Sequence, residues 1–254
     1  MAVRMETQGR VAVIALDRPD ARNAINQAAA LEIEAALDRY ESDDDLWVAI
    51  ITAHGPVFSA GADLKEIAAG NIKGLFTERG GFAGVTRRER RKPLIAAVNG
   101  AALAGGCEIA LACDLIVAVE GAVFGVPEVK RSLIPGAGGV FRLPRVVGRA
   151  TAMEMIMTGD PIDAARAYAL GFVNAVVSPD ELMPRALALA ERIAANAPLA
   201  VVEGRQIAEA AMTEDDAALW RMSEESLERL AQTEDYQEGP RAFVEKRPPI
   251  WRGR

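Results

Sequence analysis

Residues Leu94 to Val119 are almost uniformly apolar, and few folds can accommodate such a run. It is long enough to cross a bilayer. However, Asn99, Glu108 and Asp114 interrupt it, and Gly100, Gly105 and Gly106 break any single helix drawn through it. The remaining solution is burial in a globular core: a strand at Leu94–Val98, a glycine-rich turn over Gly100–Gly106, a helix carrying Glu108, and a strand at Leu115–Val119. Glu108 sits between Cys107 and Ile109. Burying a carboxylate there is costly unless it is partnered, which makes it a functional candidate before any motif is considered.

The rest of the chain fits around that centre. Val11–Leu16 and Val48–Thr52 are β-branched, apolar strand candidates. Between them, Asn26 is placed to cap a helix running to about Tyr40. His54–Gly61 is read as a loop leading to a short helix near Ala62. Ala68–Lys92 holds several glycines and the cationic run Arg87-Arg-Glu-Arg-Arg-Lys92, the composition of a mobile lid or substrate-shaping loop, or of a plain surface loop. Helical periodicity marks Ala150–Met157, Asp163–Leu170, Pro179–Ala195, Ala200–Met212 and Asp215–Leu230, with a short strand at Val173–Val177. Strands alternating with helices predict an α/β fold. The boundary is expected near Asn196-Ala-Pro198, giving a core domain over 1–196 and a C-terminal helical region over 197–254.

Several chemistries are excluded. The single histidine, His54, lies beside Gly55-Pro56 as a turn residue would, so neither a His-rich metal site nor a Ser/His/Asp set can be assembled. No Gly-x-Ser-x-Gly elbow, P-loop or Gly-x-Gly-x-x-Gly is present. Two cysteines, Cys107 and Cys113, read as buried thiols of a reducing compartment. The N-terminus has no apolar signal segment, so a cytoplasmic protein with no membrane partner is expected. A net charge of −7 argues against a general nucleic-acid binder. Carboxylates and backbone amides are what remain.

Phe58-Ser-Ala-Gly-Ala-Asp-Leu-Lys65 and Asn99-Gly-Ala-Ala-Leu-Ala-Gly-Gly-Cys-Glu108 share one plan: a buried strand, small residues, then a helix start. Small side chains let backbone N–H groups face a ligand, and a helix N-terminus adds partial positive charge. Two such amides converging on one oxygen would stabilise a developing oxyanion, although glycines that merely permit tight turns would leave the same pattern.

These segments, with Lys92-Pro-Leu-Ile-Ala-Ala-Val-Asn-Gly100, Phe124-Gly-Val-Pro-Glu128, Ile134-Pro-Gly-Ala-Gly-Gly139, Thr158-Gly159 and Phe243-Val-Glu-Lys-Arg247, resemble the crotonase (enoyl-CoA hydratase/isomerase) superfamily in order and spacing. The resemblance implies a ClpP-like fold of repeated ββα units with a C-terminal helical trimerisation region. It implies oxyanion amides at Ala62 and Gly105 and a pair of catalytic glutamates. Glu108 stands three residues after Gly105, and Glu128 follows twenty later in Pro127-Glu128. By the same resemblance, Glu108 orients and deprotonates water and Glu128 delivers a proton to the α-carbon, the division of labour that a carboxyl pair in a partly apolar pocket supports. Taken alone, Glu128 also suits a first-turn helix acid.

The resemblance further implies substrate or coenzyme A contacts at Arg22, Ala60, Asp63, Leu64, Lys65, Gly106, Pro127, Gly136, Phe243 and Lys246. Coenzyme A enters as part of the substrate, with no separate cofactor and no metal. A homotrimer or hexamer is expected. Both glutamates favour a hydro-lyase adding water to 2-enoyl-CoA thioesters. The loop Gly80–Gly84 and the ending Glu245–Arg254 also resemble carnitinyl-CoA dehydratases. A non-catalytic or RNA-binding paralogue is the alternative from another class.

Overall fold

The computed structural model describes residues 1–254. Its main sheet has six strands: β1 (Val3–Gln8), β2 (Val11–Leu16), β3 (Val48–Ala53), β7 (Leu94–Val98), β9 (Leu115–Val119) and β12 (Ala175–Val177), in that spatial order. β1 is an antiparallel edge on β2, and every other pairing is parallel. All residues of β3 and β7 are buried, which is why these strands read as continuous apolar runs with no alternation. Helix α1 (Gln27–Ser42) packs on β1 and β2 through Ile33, Leu37 and Tyr40, and the Asn26 side chain caps it by accepting from the Ala29 N–H at 2.9 Å.

A second sheet runs β11-β10-β8-β4. Its members are β4 (Val57–Ser59), β8 (Ala101–Leu103), β10 (Val123–Gly125) and β11 (Ile162–Asp163); the first three are parallel neighbours. The architecture is therefore a ββα unit repeated. β3 and β4 lead to α2 (Leu64–Ala68), β7 and β8 lead to α3 (Gly105–Leu111), and β9 and β10 lead to a 3-10 turn at Pro127–Arg131. β4 and β8 stand where a loop and a glycine-rich turn are expected, and β10 where no element is expected. Strands of three residues flanked by glycine are too short to show a period of two.

The segment before β7 differs from its expected form. A small hairpin, β5 (Phe76–Thr77) with β6 (Gly81–Phe82), is followed by buried Ala83, Val85 and Thr86. Three of the five cations in the run are tied to the body of the protein. Arg88 and Arg79 each bond Asp38 of α1 at 2.5 Å, Arg90 bonds Asp114 at 2.9 Å, and Lys92 Nζ donates to the carbonyls of Tyr40 and Asp43 at 3.0 and 2.7 Å. Only Arg87 and Arg91 of the run's cations are exposed.

Helices α4 (Gly139–Val146), α5 (Arg149–Thr158), α6 (Ala164–Ala169) and α7 (Leu182–Ala194) complete the body, with α7 lying across β2, β3, β7 and β9. After α7 come α8 (Pro198–Ala210), α9 (Asp216–Ala231) and α10 (Glu234–Glu245). α4 and α10 escape pattern reading because each carries an internal proline, Pro144 and Pro240. No helix is long and apolar enough to cross a membrane. Cys107 is buried and Cys113 half-buried, both as free thiols.

Asp114, at the mouth of β9, joins three parts of the chain. It accepts from the Leu94 N–H at 2.7 Å, from Arg90, and from Arg205 of α8 at 2.8 Å. Removing one partner of a buried ionic set leaves the others uncompensated. We therefore expect Asp114→Ala to destabilise the fold by about 3 kcal/mol, read as a lower urea midpoint; an unchanged midpoint would show the network to be dispensable.

Candidate active site

The second sheet sets the site's geometry. Because β4, β8 and β10 are parallel neighbours, their C-terminal ends lie side by side. The segments leaving those ends carry Ala62, then Gly105 and Glu108, then Glu128. The first two segments pack backbone against backbone. A Cβ on Gly61 would lie 2.7 Å from the Gly105 nitrogen, and one on Gly106 would lie 2.2 Å from the Ser59 carbonyl oxygen. Gly61 also has φ +85°, which side chains rarely tolerate.

Hydrogen bonding singles out two amides. In the first segment the N–H of Ala60 donates to the Arg22 carbonyl (3.0 Å), that of Gly61 to the Ser59 hydroxyl (3.1 Å) and that of Asp63 to the Ile25 carbonyl (2.8 Å). The Ala62 N–H has no such partner. Across from it, Gly105 opens α3, where a first-turn amide has no carbonyl four residues back. Ala104, just before it, is held at φ 52° and ψ −129°, a strained conformation for a residue with a side chain. Asn23 braces the first segment from below, its amide donating to the carbonyls of His54 (2.9 Å) and Val57 (2.7 Å). Nothing in the sequence pattern marked Asn23, because the carbonyls its amide reaches lie more than thirty residues away.

Glu108 is 3% exposed on a helix whose every residue is buried. Its Oε1 accepts two N–H groups, Ala137 at 2.7 Å and Gly139 at 2.8 Å, leaving Oε2 uncommitted. Burial raises its pKa above the usual carboxylate range, while the two amides and the Arg142 charge pull the other way. Glu128, half-buried, stands at the second position of the 3-10 turn that Pro127 opens. Burial, with a smaller push from the Glu108 charge, lifts its pKa to about 7, and its Oε2 is buried with no partner. A carboxyl anchored by amides, and a second that feels its charge and holds a proton near neutrality, are chemically able to serve as base and acid.

The other expected contacts fall into three groups. Arg22 (φ 53°), Leu64 and Lys65 are exposed around the first segment, beside half-buried Ala60. Asp63 is engaged in structure: it caps α2 by accepting from the Lys65 N–H at 3.1 Å and pairs with Arg18 at 3.2 Å. Gly106 is pressed onto Ser59, Pro127 borders Gly159, and Gly136 is exposed on the turn whose next residues hold Glu108. Phe243 (85% exposed) and Lys246 lie at the end of α10, on a different element from all the rest. Ala137 and Gly139 were not picked out individually by the sequence, although the glycine-rich start of α4 is the signal that carries them.

No group of three His, Cys, Asp or Glu side chains is gathered to hold a metal ion. A separate cleft of about 630 Å³ is lined by His54, Asn99 and Thr52 among others, and by none of the expected catalytic, oxyanion or coenzyme A residues.

The enoyl-CoA hydratase/isomerase family model matches residues 6–254. The chain belongs to that family. A probable enoyl-CoA hydratase of Rhizobium meliloti is 42% identical over 245 residues, covering 96% of this chain and 95% of that one. The crystal structure of an enoyl-CoA hydratase from Mycobacterium tuberculosis superposes with a TM-score of 0.95 at 43% identity, covering 100% and 99% of the two chains. A carnitinyl-CoA hydratase from Mycobacterium avium is 44% identical with the same coverage but superposes less closely, at a TM-score of 0.77. The likeness to these solved members of the family extends over the whole ββα core and the C-terminal helices.

The raised pKa of Glu128 has a consequence for stability. Folding favours its protonated form, so its contribution is fully present below the unfolded value near 4.5 and is lost as pH rises through about 7. Glu128→Gln removes that loss. The variant should melt several degrees above wild type at pH 8.5 and show little gain at pH 4.5. Calorimetry giving the same difference at both pH values would contradict the assignment.

Proposed function

We propose that this chain is an enoyl-CoA hydratase that adds water reversibly, in the syn sense, to 2-enoyl-CoA thioesters, giving 3-hydroxyacyl-CoA. The observation that carries the reading is the acid–base pair beside two unpaired amides at the ends of three adjacent strands. Coenzyme A is part of the substrate, and the chemistry as written uses no separate cofactor.

The steps balance on these residues. The thioester oxygen accepts hydrogen bonds from the N–H groups of Ala62 and Gly105. Glu108 takes a proton from water as the water oxygen bonds to the β-carbon. The C=C electron pair moves toward the carbonyl, forming an enolate whose negative charge the two amides stabilise, an effect commonly worth about 3 kcal/mol per donor. Collapse of the enolate draws a proton from the Glu128 carboxyl to the α-carbon. The amide-anchored glutamate suits the base, because two N–H donors favour its charged form. The unpartnered glutamate, with a pKa near 7, suits the acid.

Arg22 and Lys65, exposed beside the first oxyanion segment, fit contacts to the anionic nucleotide of coenzyme A, with Ala60, Leu64, Gly106, Pro127 and Gly136 lining the approach. We place Phe243 and Lys246 against the nucleotide of the same or a neighbouring subunit. A homotrimer or hexamer is supported by large apolar side chains left exposed on the C-terminal helices, Trp220 at 70%, Leu227 at 63% and Val244 at 79%. Light scattering at micromolar concentration should return a multiple of three chains, and a monomer would contradict the assembly.

A second reading is carnitinyl-CoA dehydratase. It is favoured by the 44% identity to the M. avium protein and by the inward pairing of Arg88, Arg90 and Lys92, which removes those cations from the surroundings of a cationic acyl group. The closer superposition on the enoyl-CoA hydratase ranks it second.

Loss of conjugated-thioester absorbance with crotonyl-CoA, longer enoyl-CoAs and crotonobetainyl-CoA, compared side by side, tests both. Glu108→Gln and Glu128→Gln should each slow crotonyl-CoA hydration by roughly 10²–10⁴-fold with little change in KM. The kcat/KM for hydration should fall as pH rises through about 7, where Glu128 loses its proton. Near-normal turnover in either variant refutes the pair.

A further inference from the structure

Arg142, on the first turns of α4, touches neither glutamate, yet it joins the turn that holds Glu108 to the segment packed on Gly105. Its Nη1 donates to the Ala137 carbonyl at 3.2 Å, on the turn whose Ala137 and Gly139 amides hold the Glu108 carboxylate. Its Nη2 donates to the Thr86 carbonyl at 2.7 Å. Thr86 is buried four residues beyond Phe82, and the Phe82 ring closes directly on Gly105: a Cβ added to that glycine would meet ring carbons at 2.3 and 2.5 Å. One guanidinium thus bridges the anchor of Glu108 and the segment that roofs Gly105. Lysine, with a single nitrogen, lacks the planar fork for two divergent carbonyls. Gly138, between the anchoring amides at φ +116°, keeps the place clear, since a Cβ there would lie 2.1 Å from Arg142 Nη1.

We propose that Arg142 is a positioning residue of the site, fixing the turn that aims the Glu108 carboxylate and locking the Phe82 segment over Gly105 at the same time. The inference deepens the hydratase reading and takes Glu108 as its base from that reading. The charge of Arg142 is also directed at Glu108, favouring its ionised form. The groups that share this field are Glu209 from α8, Arg90 from the segment before β7 and Arg145 on α4 itself, and the Glu108 charge in turn reaches Glu128.

The test compares wild type, Arg142→Met and Arg142→Lys in the hydration assay and in a carboxyl ¹³C NMR titration without substrate, with Glu108→Gln used to assign the Glu108 signal. Arg142→Met should lower kcat roughly 10–100-fold, the usual loss when a group that orients a reacting residue is removed, with KM little changed. Its Glu108 midpoint should move to higher pH, and so should the acid limb of kcat/KM. Arg142→Lys keeps the charge and loses one carbonyl bond; its midpoint should return towards wild type while kcat remains reduced. A folded Arg142→Met with an unmoved Glu108 midpoint or wild-type kcat overturns the proposal. If Arg142→Met does not fold, wild-type kcat in Arg142→Lys overturns it. A wild-type protein that leaves crotonyl-CoA untouched sinks the hydratase reading alone, because the Glu108 titration still decides whether Arg142 positions that carboxylate.

Discussion

The site depends on two loops meeting backbone to backbone. Where Ser59–Ala62 and Ala104–Gly106 touch, no room exists for a side chain on Gly61 or Gly106, and the contact brings the segments that carry the Ala62 and Gly105 amides together. Ordinary side-chain packing cannot bring two main chains that close. The glycines lose more conformational entropy on folding than other residues would, and Ala104 is held in a strained conformation beside them. Such strain persists only where the surrounding structure overrides it. Here the override comes from the parallel strands β4 and β8 on one side and the buried helix α3 on the other.

The same contact governs the electrostatics. α3 is buried along its whole length, so Glu108 is largely withdrawn from the bulk water that would offset its charge. Two amides from the start of α4 take over that role, and Arg142 braces the turn that supplies them. Glu128 follows the neighbouring strand β10 without the Ala137 and Gly139 donors, and burial, with a smaller push from the Glu108 charge, lifts its pKa to about 7. The difference between the two carboxyls follows from what the backbone offers each one.

Charge in the segment before β7 illustrates how composition misleads. Four arginines and a lysine within six residues read as a surface feature facing a ligand. In the folded chain, three of these five side chains are tied to Asp38, Asp114 and the carbonyls at the end of α1, fastening the segment to the body. Their partners lie far away in sequence, so no local pattern could have announced the pairing.

What the sequence by itself determined was the list of chemical parts. An apolar run broken by glycines and one acid required a buried strand, a tight turn and a helix carrying Glu108, and the lone histidine removed most rival chemistries. The spacing of Glu108, Glu128 and the glycine-rich starts carried the family and its ββα core. Only the tertiary structure decided which parts meet. β4, β8 and β10 have three residues each and are invisible to periodicity, yet their adjacency brings the amides and carboxyls to one place. Asn23, Ala137, Gly139 and Arg142 entered the site the same way. Each acts through a carbonyl or amide contributed by a distant segment, and such contacts exist only once the chain has closed on itself.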